Sequence, residues 1–295
     1  MGRRTPQTGT LAGLPCLIAG PPDAPPLAIL PGLSPEEGIG AGPVTRAELG
    51  LARAFADRFR VVWLAPRSDV GGDGTKAGRP TMAAYAARHA AALREAFPDQ
   101  PVDVLGMSTG GSVALQLAAD HPEVVRRLVL VSAAARLGEA GRADQRALAD
   151  RIAAGDRRGA LARFLGDMVP APPPTARGTL AALHARLAAL ARPPLAATGW
   201  ALGPLLWPAA GTMRELAALI EAEDGYDLRE RLDDVRAPTL VVAGGRDPYY
   251  DAGAFEQVAR GVRDGRLVRF ARRGHVTVAL DPRFAETVAA FLTEA

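Results

Sequence analysis

Residues Gly106-Met107-Ser108-Thr109-Gly110 follow the pattern G-x-S-x-G. A serine set between glycines at the exit of a strand is the setting in which a hydroxyl is presented to attack a carbonyl carbon. A glycine-rich turn that merely contains serine is the structural alternative. A hydroxyl is a weak nucleophile at neutral pH, so the chemistry needs a base within hydrogen-bond reach and a third group to orient that base.

The chain has four histidines. His89 falls mid-helix and reads as a surface residue. His121 precedes Pro122 at a helix end, a capping position, and His184 lies in the helical stretch "LAALHARLAAL". Only His275, in "RRGH", follows a strand, at the carboxyl edge where ligand sites of open α/β sheets collect. His275 is therefore the expected base. The orienting acid should also end a strand, and Asp247 does so in "LVVAGGRDP". After the strand "RLVLVSAA" no carboxylate occurs until Glu139. Asp224, Asp227, Asp233 and Asp234 precede a strand rather than end one and read as helix-end and surface charges.

An attacked carbonyl also needs donors for its developing oxyanion. The backbone N–H of Thr109, at the start of the helix after the serine, is one candidate, aided by the helix dipole. The N–H of Leu33 is the other, in the loop "PGLS" after the strand "LAIL", where Gly32 lets the backbone approach closely. A plain turn is the alternative for that loop.

The elements that must position these groups alternate along the first half of the chain. Apolar strands "PCLIAG", "LAIL", "RVVWLAP", "VDVLGM" and "RRLVLVSAA" are separated by helices over Arg46–Phe59, Met82–Phe97 and Gly110–His121. Continuous apolar strands of this kind belong to a parallel sheet covered on both faces. From Arg136 to Val235 the pattern changes to helical segments without a convincing strand, punctuated by "PAPPPTARG" and "RPP". The alternation then resumes with "PTLVVAGGRD", "DAGAFEQVARGV", "GRLVRFARRGH" and a closing helix in "DPRFAETVAAFLTEA". A helical insertion in an α/β domain is most simply a cap over its site.

Composition narrows the function classes. The 295 residues are 48% hydrophobic and 23% charged, enough for a large core without metal or disulfide staples. One cysteine, Cys16, excludes an intramolecular disulfide and a cysteine-based zinc site. The net charge of +3 is scattered, with no basic stripe interleaved with aromatics, so nucleic acid is not an expected partner. No apolar stretch reaches the length that spans a bilayer. The segment "GRRTPQTGTLAGLPCLIAG" makes a poor export signal, because Pro15 interrupts its short apolar run. The expectation is a cytoplasmic protein whose flexible tail leads into the strand "PCLIAG".

The stretches "LGMSTGGSVALQLAADHPEVVRRLVLVSAA" and "VRAPTLVVAGGRDPYYDAGAFEQVA" resemble the α/β-hydrolase superfamily, and the order Ser108, Asp247, His275 is that superfamily's order. The resemblance implies a mostly parallel central sheet with helices on both faces, a core from residues 1–135 and 236–295, and an α-helical cap from 136–235. It implies a carboxylesterase-like serine hydrolase that forms an acyl-enzyme from a small-molecule acyl substrate, with no cofactor, no metal and no membrane partner. Serine at the elbow separates the chain from dehalogenase and epoxide hydrolase relatives, which carry a carboxylate there. Thioester, lactone, perhydrolysis and C–C bond chemistry run on the same triad, and a non-catalytic binding protein is the alternative of another class. Two stretches depart from the family pattern: Pro31-Gly32 stands where many relatives have His-Gly, and "RSDVGGDGTKAGRP", residues 67–80, is unusually rich in glycine. In the cap, Trp200 and Trp207 of "GWALGPLLW" are candidates to line an acyl pocket, with packing of cap on core as the alternative.

Overall fold

A computed structural model describes residues 6–33, 43–65, 81–166, 210–251 and 253–294, with positions 193–194, 197–198 and 201. Its strands are β1 (Gln7–Leu11), β2 (Leu14–Ala19), β3 (Pro26–Leu30), β4 (Arg60–Leu64), β5 (Val102–Met107), β6 (Val125–Val131), β7 (Thr239–Gly244) and β8 (Gly265–Phe270). They form one sheet in the order β1-β2-β4-β3-β5-β6-β7-β8. β2 runs antiparallel to β1 and β4, and every other neighbouring pair is parallel. The described helices are α1 (Pro43–Phe55), α2 (Met82–Ala96), α3 (Thr109–Asp120), α4 (Glu139–Ala153), α5 (Arg157–Gly166), α6 (Ala210–Asp224), α7 (Ala254–Gly261) and α8 (Phe284–Leu292). None of the described helices is long and apolar enough to cross a membrane.

The central strands β3, β4, β5 and β7 are largely apolar because both faces are buried, and their residues divide by parity. Leu27 and Ile29 of β3 pack with Leu49 and Phe55 of α1 and with Phe284 and Val288 of α8. Ala28 and Leu30 point the other way, onto Leu93 of α2 and Val113 and Leu117 of α3. Val61 and Trp63 of β4 join the first cluster, Val62 and Leu64 the second. Each such leucine, isoleucine, valine or phenylalanine contributes about 1.5–3 kcal/mol on burial, and a slip of one residue in register would exchange the two sets.

The parallel strands reverse direction of travel at β3, which pairs with β4 on one side and β5 on the other. This is a topological switch point, and it opens a crevice beyond the carboxyl ends of β3 and β5. Between β6 and β7, α4, α5 and α6 build a small apolar cluster of their own from Leu148, Ile152, Ala160, Leu161, Leu216 and Ile220, against which Leu33 packs.

Four sequence expectations need correction. The flexible tail is, from Gln7, an edge strand: Ala12 and Gly13 adopt φ of 46° and 78°, a tight turn suited to a hairpin, and β1 pairs with β2 in register Leu11↔Leu14. The strand expected to run to Ala134 stops at Val131, because Ser132 turns to φ 48°. The helix expected to reach Phe59 ends at Phe55, where the chain enters turns. His89 is buried rather than on the surface, its Nδ1 donating to the Tyr85 carbonyl at 2.8 Å. Burial holds the imidazole neutral, lowering its pKa to about 4 against the opposing effect of that hydrogen bond.

Candidate active site

Ser108 stands between the last residue of β5 and the first of α3, with φ 51° and ψ −125°. A side chain rarely adopts this conformation, which costs about 1–3 kcal/mol and persists only where the surroundings impose it. The Ser108 N–H donates to the Val131 carbonyl of β6 at 2.9 Å, and its own carbonyl accepts from Gly111 at 2.7 Å. Glycine at 110 lets the chain after β3 approach this turn closely: a Cβ there would lie 2.2 Å from the carbonyl oxygens of Leu30 and Pro31.

The Ser108 hydroxyl lies 2.8 Å from His275 Nε2. His275 Nδ1 in turn lies 2.8 Å from Asp247 Oδ2. The three groups expected from the sequence are thus joined in one hydrogen-bonded chain, although 167 residues separate the serine from the histidine. The imidazole and carboxylate are buried, with 8% and 1% of their side-chain surface exposed. With Nδ1–H directed at the carboxylate, Nε2 is left to accept the serine proton.

Each member is held by its own support. Asp247 follows β7, and its second oxygen, Oδ1, accepts the Tyr249 N–H at 3.0 Å in a local turn of the kind aspartate favours. His275 follows β8, and its carbonyl accepts from the Ser132 hydroxyl at 2.8 Å. The next residues fold back, with the Gly274 N–H donating to Thr277 Oγ1 at 2.8 Å. The Tyr249 ring lies against the imidazole.

The loop after β3 reaches the same place. A Cβ on Gly32 would meet Ser108 Cβ at 3.1 Å, so glycine allows this backbone to run directly beside the serine. Leu33 is half-buried and Thr109 fully buried. Trp200, Trp207, His184 and residues 67–80 lie outside the described residues.

One group at the site has no counterpart in the sequence reading. Glu223, near the end of α6, is 1% exposed. Its Oε2 accepts from the Thr109 hydroxyl at 2.6 Å and from Gln145 Nε2 at 2.8 Å, and its Oε1 accepts from the Ser112 hydroxyl at 2.7 Å. Burial pushes its carboxyl above the usual carboxylate range, against the three hydrogen bonds. Ser132 and Tyr249 were also missed. The only local signal was for Tyr249, two residues beyond an Asp-Pro turn.

Comparison with known proteins agrees with this architecture. Residues 36–282 match the family model described as alpha/beta hydrolase fold. Pimeloyl-[acyl-carrier protein] methyl ester esterase from Aromatoleum aromaticum is 34% identical over 218 residues, 72% of this chain and 80% of that protein. The enzyme of the same name from Neisseria meningitidis serogroup C is 33% identical over 180 residues, 60% of this chain and 63% of that protein. Among solved structures, MGS-M2, an alpha/beta hydrolase enzyme from a Medee basin deep-sea metagenome library, superposes with a TM-score of 0.72. It covers 98% of both chains at 15% identity, a likeness of fold alone. The chain belongs to the α/β-hydrolase fold family.

Proposed function

We propose that the chain is a serine hydrolase that cleaves a carboxylic ester or related acyl bond, with Ser108 as nucleophile, His275 as base and Asp247 as orienting acid. The observation that carries this reading is the unbroken chain from Ser108 Oγ through His275 to Asp247, with both contacts at 2.8 Å. His275 Nε2 takes the Ser108 proton as Oγ attacks the acyl carbon. The backbone N–H groups of Thr109 and Leu33 hold the resulting oxyanion. The tetrahedral intermediate collapses, His275 gives the proton to the departing alcohol, and water repeats the sequence on the acyl-enzyme to release the acid. Asp247 keeps Nδ1 protonated and supports the imidazolium; it does not itself take the proton.

The named relatives act on a methyl ester of a carrier-bound acyl group. An ester linkage is accordingly the first substrate class for this chain, and the segment 136–235 is the cap that selects the acyl group, with Trp200 and Trp207 lining its pocket. A cytoplasmic setting fits the lone thiol of Cys16, which is buried. Two measurements test the reading: labelling with a fluorophosphonate probe, and kcat/KM over p-nitrophenyl esters of rising chain length. Labelling at Ser108 together with ester turnover is the expected result. A protein that is folded, unlabelled and inert to every ester would reject it. For the pocket, Trp200→Ala and Trp207→Ala should flatten the chain-length profile, each lost CH₂ contact being worth about 0.8 kcal/mol. An unchanged profile with lowered Tm leaves these tryptophans a packing role only.

A further inference from the structure

Glu223 is a buried carboxylate whose three hydrogen-bond donors among the described residues are all neutral: two hydroxyls and an amide. A carboxylate in such surroundings is costly, because neutral donors offset its lost hydration only in part. Its neighbour Asp224 shows the cheaper arrangement, remaining partly exposed and pairing with Arg142 and Arg146 of α4. The two consecutive acids at the end of α6 therefore divide. Asp224 ties α6 to α4 at the surface, and Glu223 turns inward onto the first turn of α3.

The residues it holds are specific. Thr109 directly follows Ser108, and the Ser108–Thr109 peptide carries the N–H assigned to the oxyanion. Ser112 lies one turn further along the same helix. Hydrogen bonds donated by both hydroxyls, to opposite oxygens of one carboxylate, fix that turn against rotation about the helix axis. Gln145, the third donor, lies on α4, so the same carboxylate joins the first turn of the nucleophile helix to two of the helices between β6 and β7.

We propose that Glu223 is a positioning residue: it sets the orientation of the Ser108–Thr109 peptide for oxyanion binding and makes that orientation depend on the seating of α4 and α6. This rests on the serine-hydrolase reading above. The consequence is a link between the segment that would contact the substrate and the donor that stabilises the transition state. A small misplacement of an oxyanion donor is felt in the chemical step rather than in substrate binding.

The test compares Glu223→Ala, Glu223→Gln and Thr109→Val with the wild type on p-nitrophenyl acetate, whose acyl group is small. Turnover is expressed per folded molecule, with the folded fraction measured by circular dichroism. Glu223→Ala should lower kcat about 30–100-fold, approaching the loss of an oxyanion donor, with KM within about threefold of wild type. Glu223→Gln should stay within about fivefold, because its amide oxygen accepts from Thr109 and Gln145 while its NH₂ donates to a turned Ser112 hydroxyl. Thr109→Val, nearly the same shape, should lower kcat at least about tenfold, and the double variant should fall no further than Glu223→Ala alone, since the Thr109 contact is one of the three that Glu223→Ala removes. A folded Glu223→Ala with kcat within threefold of wild type, or with its loss confined to KM, overturns the proposal. Should Glu223→Ala fail to fold, a Thr109→Val kcat within threefold of wild type overturns it equally. Wild-type protein that is neither labelled by fluorophosphonate nor active would instead reject the underlying reading of Ser108, and this proposal with it.

Discussion

The ring of Tyr249 lies over that of His275, with centroids 4.4 Å apart and planes inclined by 36°. The same residue gives its backbone N–H to Asp247 at 3.0 Å, and its hydroxyl donates to Asp144 of α4 at 3.1 Å. Asp144 also pairs with Arg163 of α5. One side chain thus walls an imidazole face and reaches α4. The two contributions separate by mutation. Tyr249→Phe keeps the ring and loses the bond to Asp144, so kcat/KM for p-nitrophenyl acetate should stay within about threefold of wild type. Tyr249→Ala frees the imidazole to tilt and admits water beside it, and kcat/KM should fall about 10–100-fold, the usual result of a small misplacement. Equal losses in the two variants would assign the effect to the Asp144 link instead of the ring.

Ser108 combines the proposed nucleophilic role with a strained backbone, and two substitutions tell these apart. Ser108→Ala and Ser108→Gly should both abolish fluorophosphonate labelling and ester turnover. They should differ in stability. Alanine retains a Cβ at φ 51°, whereas glycine adopts that conformation freely. Ser108→Gly should therefore melt above Ser108→Ala by about 2–4 °C, for a relief of roughly 1 kcal/mol. Labelling that persists at another serine in either variant would remove Ser108 from the mechanism.

Asp247 receives two donors, the His275 Nδ1–H on Oδ2 and the Tyr249 N–H on Oδ1. Asparagine has one oxygen to offer them, so its NH₂ must face a donor or force the imidazole into the other tautomer. In that tautomer Nε2 carries a proton and cannot accept one from Ser108. Asp247→Asn should lower kcat by a factor on the order of 10⁴ with the fold retained. Activity within tenfold of wild type would mean that a different acid orients the base.

The parts that were legible in the sequence are those with a local signature. Buried parallel strands are mostly apolar runs, so β3 to β7 were marked by composition, and the ends of β5, β7 and β8 located Ser108, Asp247 and His275. β1 carries no such mark: Gln7 to Thr10 are exposed, and what holds the strand is backbone pairing to β2. His89 was misplaced because α2 is rich in alanine on every side. Small apolar residues all round leave no period to show which face is buried. Glu223 was invisible for a different reason. An acidic pair at a helix end reads as solvated charge, and its partners Thr109 and Ser112 lie 114 and 111 residues away in sequence. Asp103, fully buried in β5 and paired with Arg126, is a second acid of that kind.

The buried His89 carries a pH dependence whose sign is fixed by its environment. Its Nδ1 bonds the Tyr85 carbonyl, while Nε2 is buried with no hydrogen-bond partner among the described residues, so a proton there gains no acceptor from them. The folded pKa, about 4, lies below the unfolded value of 6.5. Its contribution to stability is therefore complete above pH 6.5 and is lost as pH falls from 6.5 toward 4, because the unfolded chain binds the proton first. Between pH 7.5 and 4.5 this amounts to about 2–3 kcal/mol at 1.36 kcal/mol per pKa unit. Asp103 and Glu223, pushed upward by burial, act in the opposite sense, since acid relieves the cost of their ionised forms. A comparison of two proteins that share those groups cancels them. His89→Leu removes the titration and leaves no stranded acceptor, because the Tyr85 carbonyl also accepts within the helix ladder. The wild type should lose roughly 5 °C more in Tm than His89→Leu on going from pH 7.5 to 4.5. Parallel Tm–pH curves for the two proteins would show that His89 charges as readily in the folded state as in the unfolded chain.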